Sequence, residues 1–573
     1  MLGINFFQFS GFLFTALYLL VSIETGSAIA ETVVSDKGVV ASRSRIASDI
    51  GAEIMRQGGN AIDAAVATGF ALSVTYPSAG NLGGGGFMVI RLADGSVVTN
   101  DHREKAPNLA RTDMYLDADG EIVKGLSTRS HLAVGVPGSV AGLVDVLQRY
   151  GTMSIAEVIE PAIVLARDGF ILNRDLAGQF TSRVKDFARY PASKRVFTNE
   201  GEPYKRGDLF IQSDLSKTLS RVKKSGKAGF YAGKTARLLV EEMSSGGGLI
   251  SLSDLSEYRS VWREPVIGNY RGFEIISMPP PSSGGILLVQ MLNMLETLDI
   301  GGMGFGGSRT IHAMIEAQRR AYADRSEYLG DSDFYPVPIA RLTDKKYAVE
   351  RFKDFDVEQA GSSDLIGPGL ATRESLETTH VSVMDALGNA VSYTTTLNLS
   401  YGSKIVVTGA GFLLNNEMDD FSAKENEPNF YGLIGRKANA IEPKKRMLSS
   451  MTPTIVLSGG EPLLVTGSPG GSTIITTTLQ VIMNVIDHGM SLPEAVASPR
   501  FHHQWRPDRV IHEKFTFSPD TKEKLVEIGH KNLNAIPSYY GRGIGDANSA
   551  MNTPRGYVGV SDPRNVGGAS AVP

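Results

Sequence analysis

The chain has 573 residues, 42% of them hydrophobic, with 57 Lys and Arg against 61 Asp and Glu for a net charge of −4. The length allows a large core and several domains, while so even a charge balance offers no basic footprint for nucleic acid. The absence of cysteine excludes a disulfide framework, a thiol nucleophile and Cys-ligated zinc or iron–sulfur sites.

From the N-terminus, no charged residue occurs before Glu24, and residues 11 to 23 form an apolar run that leads to Ala28 and Ala30. An A-x-A pattern after such a run reads as a signal peptide over 1–30, with an uncleaved anchor as the alternative. The mature protein is therefore expected outside the cytoplasm, in a bacterial periplasm or secreted. "SRIASDIGAEIMRQGG" and "NAIDAAVATGFALSV" read as two successive helices. "FMVIRLADGSVVTN" (87–100) reads as two strands around an Asp94–Gly95 turn. Ser154 and Glu157 form a capping box, residues 272–278 a strand, and residues 308–330 the longest helical pattern. A Gly/Ser-rich stretch, 355–377, reads as a mobile linker. Beyond it lie short apolar β-runs: "SKIVVTGAGFLLNN", "TPTIVLSGGEPLLVTG" and "GYVGVSDP". Long helices with many strands predict an α+β or layered α/β protein.

Chemistry concentrates in "ETTHVSVMDALGNAVSYTTTLN" (377–398). If "DALGN" is a tight loop centred on Leu387, Val381, Val383, Val391 and Tyr393 share one face. Thr378, His380, Ser382, Ser392, Thr394 and Thr396 then share the other, with Thr378 opposite Thr396 and Asn398 one step beyond. A slip of one residue would bury the hydroxyls instead. The plain alternative is a half-buried hairpin whose threonines face solvent. Three more segments carry polar groups: "NNEMDDFS" (415–422), "MLSSMTPTI" (447–455) and "GSPGGS" (467–472), whose glycines leave backbone N–H groups able to meet an anion. Without the P-loop lysine, that last segment does not read as a nucleotide site.

Together with "AGNLGGGGFMVIR" (79–91) and "DHREKAP" (101–107), these motifs resemble the γ-glutamyltranspeptidases, a family of N-terminal-nucleophile hydrolases, over nearly the whole mature chain. The resemblance implies a four-layer αββα sandwich built jointly by a large subunit (31–377) and a small one (378–573). The two would arise by self-cleavage between Glu377 and Thr378 and pair as a heterodimer. It implies Thr378 as nucleophile, Thr396 as its positioning partner, and Gly470 and Gly471 as the oxyanion hole. The substrate would be a γ-glutamyl amide such as glutathione, with water, amino acids or dipeptides as acceptors. Its α-carboxylate would meet Arg103, Ser449 and Ser450, and its α-ammonium Asn398, Glu417 and Asp420. Residues 421–443 would form a lid, with Tyr431 over the bound glutamyl group. No metal, cofactor, nucleic acid or membrane span of the mature protein is called for. Competing readings are a cephalosporin acylase, an oxamate amidohydrolase or a poly-γ-glutamate depolymerase with the same chemistry, and a non-catalytic binding protein of the same fold.

Overall fold

A computed structural model of the chain describes residues 30–366, 378–424, 427, 429–430, 433, 435–536 and 543–573. The leader up to residue 29, Glu377, Tyr431 and the linker segment 367–377 lie outside the described residues.

Two seven-stranded sheets organise the molecule, and every strand pairing within them is antiparallel. The first runs Gly568–Ala571, Gly38–Ser42, Thr379–Asp385, Ala390–Thr396, Gly85–Arg91, Val97–Asp101, Val261–Arg263. The second runs Glu31–Ser35, Gly556–Ser561, Ser549–Thr553, Glu461–Thr466, Thr454–Ser458, Phe273–Ser277, Val266–Tyr270. Val381, Val383, Val391 and Tyr393 of the first sheet pack into one apolar cluster with the helices Arg45–Arg56, Ala61–Thr75 and Ser139–Tyr150. Ile275, Val456 and Leu464 of the second sheet share another cluster with the helices Gly284–Leu295, Ser308–Tyr328 and Thr473–Ile486. A third cluster draws on both sheets, joining Val39, Phe87 and Val89 to Ile276, Ile455 and Val465.

The central hairpin has the register expected from its sequence: Thr379 faces Thr395, Val381 faces Tyr393 and Val383 faces Val391. Its polar face does not meet solvent. Ser382 Oγ donates to the Val465 and Asn548 carbonyls at 3.2 and 2.8 Å, and Ser392 Oγ to the Thr466 carbonyl at 3.1 Å. These hydroxyls stitch one sheet to the other, because a buried polar group needs a partner. The turn is set by Asp385, whose Oδ1 accepts from the Leu387 and Asn389 amides at 2.9 and 3.0 Å. Gly388, at φ +87°, takes the left-handed conformation that the turn requires. Asp385 Oδ2 also accepts from the Ala61 amide at 2.8 Å, placing a carboxylate at the start of the Ala61–Thr75 helix, where the helix dipole favours it.

One sequence expectation needs correction. Residues 403–416 form no strand, only isolated bridges that pair Val406 with Leu413 and Leu414 with Gly83. Lys404, Gly409 and Gly411 have φ of +67°, +72° and +80°, which breaks the extended run into turns. The "TIITTT" run, β-branched throughout, opens the helix Thr473–Ile486, all but the last residue of which is buried. Of the expected linker, residues 355–366 are described and held: the Ser363 amide donates to Asp508 Oδ2 at 3.0 Å and the Ala360 amide to the Ile528 carbonyl at 2.6 Å. No helix among the described residues is long and apolar enough to cross a membrane.

Replacing Asp385 by Ala would strip the acceptor from four donors at the junction of turn and helix: the Ala61, Leu387 and Asn389 amides and Asn389 Nδ2. We expect Asp385→Ala to cost about 3 kcal/mol in denaturant unfolding, with Asp385→Asn costing distinctly less.

Candidate active site around Thr378

Thr378 immediately precedes the strand Thr379–Asp385, and Thr396 ends its partner. The shared register brings the two side chains together, and Thr378 Oγ1 donates to Thr396 Oγ1 at 3.3 Å. Thr396 Oγ1 also accepts from the Asn398 amide at 2.9 Å. The glycine run before the strand Gly85–Arg91 makes this crowding possible. A Cβ at Gly84 would lie 2.1 Å from the Thr396 carbonyl oxygen, and one at Gly85 would lie 2.4 Å from Glu104 Oε2. No side chain fits either place.

Around the threonines, a cavity of about 20 Å³ is lined by Arg103, Arg325, Asn398, Glu417, Asp420, Leu433, Ser449, Ser450, Met451, Gly471 and Ile474. Glu417 and Asp420 belong to the single 3-10 turn Glu417–Asp420. Ser449 is fixed by backbone bonds to the 281–283 loop: its amide donates to the Pro281 carbonyl and the Ser283 amide to its own carbonyl, both at 2.8 Å. Gly470 and Gly471 link the strand Glu461–Thr466 to the helix Thr473–Ile486 at φ +137° and +55°. Their carbonyls accept from the Thr473 and Ile474 amides. Neither glycine N–H donates to a described residue. Every described residue named from the sequence thus lines the cavity or, for Gly470, adjoins its wall.

The electrostatics centre on Arg103, which is fully buried. Its guanidinium pairs with Glu417 and Asp420, and donates to the Met447 and Leu448 carbonyls at 3.2 and 3.3 Å. Glu104 Oε2 lies 3.7 Å from the same guanidinium. Arg103 therefore faces three carboxylates, and Arg325 is the second cation that lines the cavity. Burial opposes its charge, but Glu417, Asp420 and Glu104 outweigh that penalty and hold Arg103 above its ordinary pKa. Burial pushes all three carboxyls up, with Arg103 only partly offsetting the shift, and Glu104 rises to about 7. A pocket with surplus carboxylate suits a ligand that carries an ammonium group.

The sequence reading did not single out Arg325 or Glu104. Arg325 sits on the Ser308–Tyr328 helix, donates to Ser283 Oγ at 3.0 Å and Ser450 Oγ at 3.3 Å, and is lowered to about 10 mainly by burial. The composition of its helix concealed it. That helix carries Glu316, Arg319, Arg320, Asp324 and Arg325 and is nonetheless buried from Thr310 to Ser326. His380, two residues past Thr378, is no candidate base: burial lowers it to about 3, and its ring nitrogens bond Thr394 Oγ1 and Ser382 Oγ.

One further cluster has metal-ligand residue types, His312, Glu316 and His530, with ligand atoms within 4.8 Å of one another. The two imidazoles bond each other at 2.8 Å, and Glu316 is paired with Arg319 and Arg320 at 3.2 and 2.6 Å. Two guanidinium groups make this a hydrogen-bonded structural network and a poor host for a cation.

The geometry now meets its relatives. The acylase and transpeptidase class has this fold: a cephalosporin acylase structure from Bacillus halodurans superposes with TM-score 0.83 at 25% identity, covering 94% of this chain and 96% of that one. A Helicobacter pylori gamma-glutamyltranspeptidase structure matches at 47% identity and TM-score 0.56, over 56% of this chain and 93% of that one. The glutathione hydrolase proenzyme of Escherichia coli K12 is 50% identical over 92% of this chain and 91% of its own length. The gamma-glutamyltranspeptidase family matches residues 47–572. The chain belongs to that family.

Removing Arg103 should leave uncompensated buried charge. Arg103→Gln is expected to lose about 3–5 kcal/mol of stability near neutral pH. A carboxyl whose folded pKa is raised disfavours folding increasingly as pH rises, and losing Arg103 raises these pKa values further. The deficit should therefore shrink as unfolding is measured at progressively lower pH, from neutral toward about pH 5.

Proposed function

We propose that the protein is an autoprocessed γ-glutamyltranspeptidase that cleaves glutathione and related γ-glutamyl amides through an acyl-enzyme on Thr378. The observation that carries the reading is the placement of the Thr378 and Thr396 hydroxyls, 3.3 Å apart, beside a buried arginine and its carboxylates.

In this reading the precursor cuts itself between Glu377 and Thr378. Thr378 Oγ attacks the Glu377 carbonyl, the peptide bond becomes an ester, and water hydrolyses it. The large chain, 31–377, and the small chain, 378–573, then remain together as a heterodimer within a four-layer αββα sandwich. Support for the layers comes from the three apolar clusters, one joining the sheets and one between each sheet and its helices. Cleavage gives Thr378 a free α-amine, whose ordinary pKa of about 7.7–8.0 leaves a usable unprotonated fraction near neutrality.

Turnover follows from the same groups. The amine takes the Thr378 hydroxyl proton as Oγ attacks the γ-carbonyl, and Thr396 keeps the hydroxyl aligned. The N–H groups of Gly470 and Gly471 donate to the developing oxyanion, a contribution of about 10²–10³ in rate for each donor. The proton passes to the leaving amine, and the γ-glutamyl ester is then resolved by water or by an acceptor amine. Arg103, Ser449 and Ser450 bind the α-carboxylate, while Asn398, Glu417 and Asp420 accept from the α-ammonium. An incoming carboxylate would compete with Glu417 and Asp420 for the Arg103 guanidinium. Tyr431 would close over the bound head. The leader, 1–30, would direct export to a periplasm or beyond.

A side-chain acylase has no use for three ammonium acceptors, which favours the γ-glutamyl substrate over the acylase alternatives. We expect the wild type to turn over γ-glutamyl-p-nitroanilide in preference to glutaryl-p-nitroanilide; the reverse preference would refute the substrate. On a denaturing gel it should run as two chains and Thr378→Ala as one. Asp420→Asn, short of one ammonium partner, should raise KM for the γ-glutamyl anilide at least about tenfold.

A further inference from the structure

Arg103 and Arg325 both line the catalytic cavity, and the two arginines are held differently. The guanidinium of Arg103 is committed to Glu417 and Asp420, with Glu104 close by. Arg325 is buried, yet among the described residues its side chain bonds only two neutral hydroxyls, Ser283 Oγ and Ser450 Oγ. The neighbouring acids on its helix are engaged elsewhere: Asp324 with Arg351, Tyr347 and Gln290, and Glu327 with Arg436. Asp420 acts on Arg325 only from beyond ion-pair distance. A buried cation without a carboxylate in contact is costly, and an entering anion offsets that cost.

The hydroxyls around Arg325 are set in one direction. A guanidinium has donors and no acceptor, so each hydroxyl it meets must accept. Ser450 Oγ accepts from Arg325 at 3.3 Å, and Ser449 Oγ accepts from the Met451 amide at 3.1 Å. Neither hydroxyl donates to a described residue, which leaves both protons for a ligand that can only accept. Ser283, the other hydroxyl bonded to Arg325, donates to the Ser449 carbonyl at 2.7 Å. One arginine thus orients Ser450 and, through Ser283, braces the backbone of Ser449. We propose that Arg325 is a positioning residue for the α-carboxylate of the substrate: it presets the Ser450 hydroxyl as a donor and supplies a positive charge that no described carboxylate meets by contact. The inference rests on the γ-glutamyl reading above and extends it to a residue behind the paired serines. It also eases a conflict in that reading, since Arg103 cannot turn wholly to a ligand while it holds Glu417 and Asp420.

The test compares two ligands that differ only at the α-carboxylate. L-Glutamate and L-isoglutamine, its neutral α-amide, are measured as competitive inhibitors of γ-glutamyl-p-nitroanilide turnover. Wild type should bind glutamate more tightly than the amide, and that preference should fall about tenfold in Arg325→Met, with isoglutamine binding nearly unchanged. Arg325→Lys, which keeps the charge but not the two-pronged donor, should lose less. Because Arg325 acts through Ser450, Arg325→Met and Ser450→Ala together should lower the preference by less than the product of their separate effects. Equal weakening of both ligands in Arg325→Met marks a merely structural residue and overturns the proposal, as does a preference left intact or full multiplication of the two effects. Should Arg325→Met remain a single chain on a denaturing gel, Arg325→Lys and Ser283→Ala carry the same comparison, and an unchanged preference in both overturns it. Wild type that turns over the anilide without preferring glutamate to its amide also overturns the role of Arg325. Failure of wild type to turn over the anilide is a different result: it overturns the γ-glutamyl reading and the positioning role with it.

Discussion

The arrangement around Thr378 depends on one register, the pairing of Thr379–Asp385 with Ala390–Thr396. The hairpin lies inside its sheet, flanked by Gly38–Ser42 and Gly85–Arg91. Both of its faces are buried, one against helices and the other against the second sheet. A shift by one residue would bring valines against the carbonyls that Ser382 and Ser392 now satisfy, and hydroxyls into the apolar cluster. Each displaced polar group would forfeit its partner in a place without water. The distance between Thr378 and Thr396 is thus fixed by hydrophobic patterning some way along the strands, not by their own 3.3 Å contact, which is too weak to set it.

Charge is handled in the opposite manner. Patterning hides apolar groups, but at the cavity an arginine and several carboxylates are hidden too, at a cost that only their mutual attraction offsets. The balance is incomplete, as the raised carboxyl pKa values show. The region is poised to gain from a ligand carrying both signs. An amino acid head group does so, bringing an ammonium to the carboxylates and a carboxylate to the arginine.

Much of this was legible in the residues alone. Alternation fixed the hairpin faces and register, the Asp94–Gly95 and Asp385–Asn389 turns carried the usual turn residues, and the Ser154–Glu157 capping box forms as expected. The strand edges of the cavity were therefore visible, as were the polar runs that meet there. What was hidden shares a physical cause. The helix that follows the glycine loop is made of β-branched residues, whose local preference is overridden by burial on every side. The charged helix bearing Arg325 looks solvent-exposed by composition, because ion pairing inside a core leaves no apolar stripe to read. The apparent strand at 403–416 failed because its glycines serve turns, which short-range patterning does not reveal.

The strand order has a further consequence for how the chain hangs together. Segments from before residue 367 and after residue 377 are interleaved in both sheets. Gly38–Ser42 sits between Gly568–Ala571 and Thr379–Asp385, and Thr454–Ser458 pairs outward with Phe273–Ser277. Severing the backbone between these halves would not create two bodies joined at a surface. Each half would be a comb with missing teeth, presenting unpaired edges along its length and unable to bury its own core. Separation of such halves is unfolding itself, so their affinity for one another is the stability of the protein under another name.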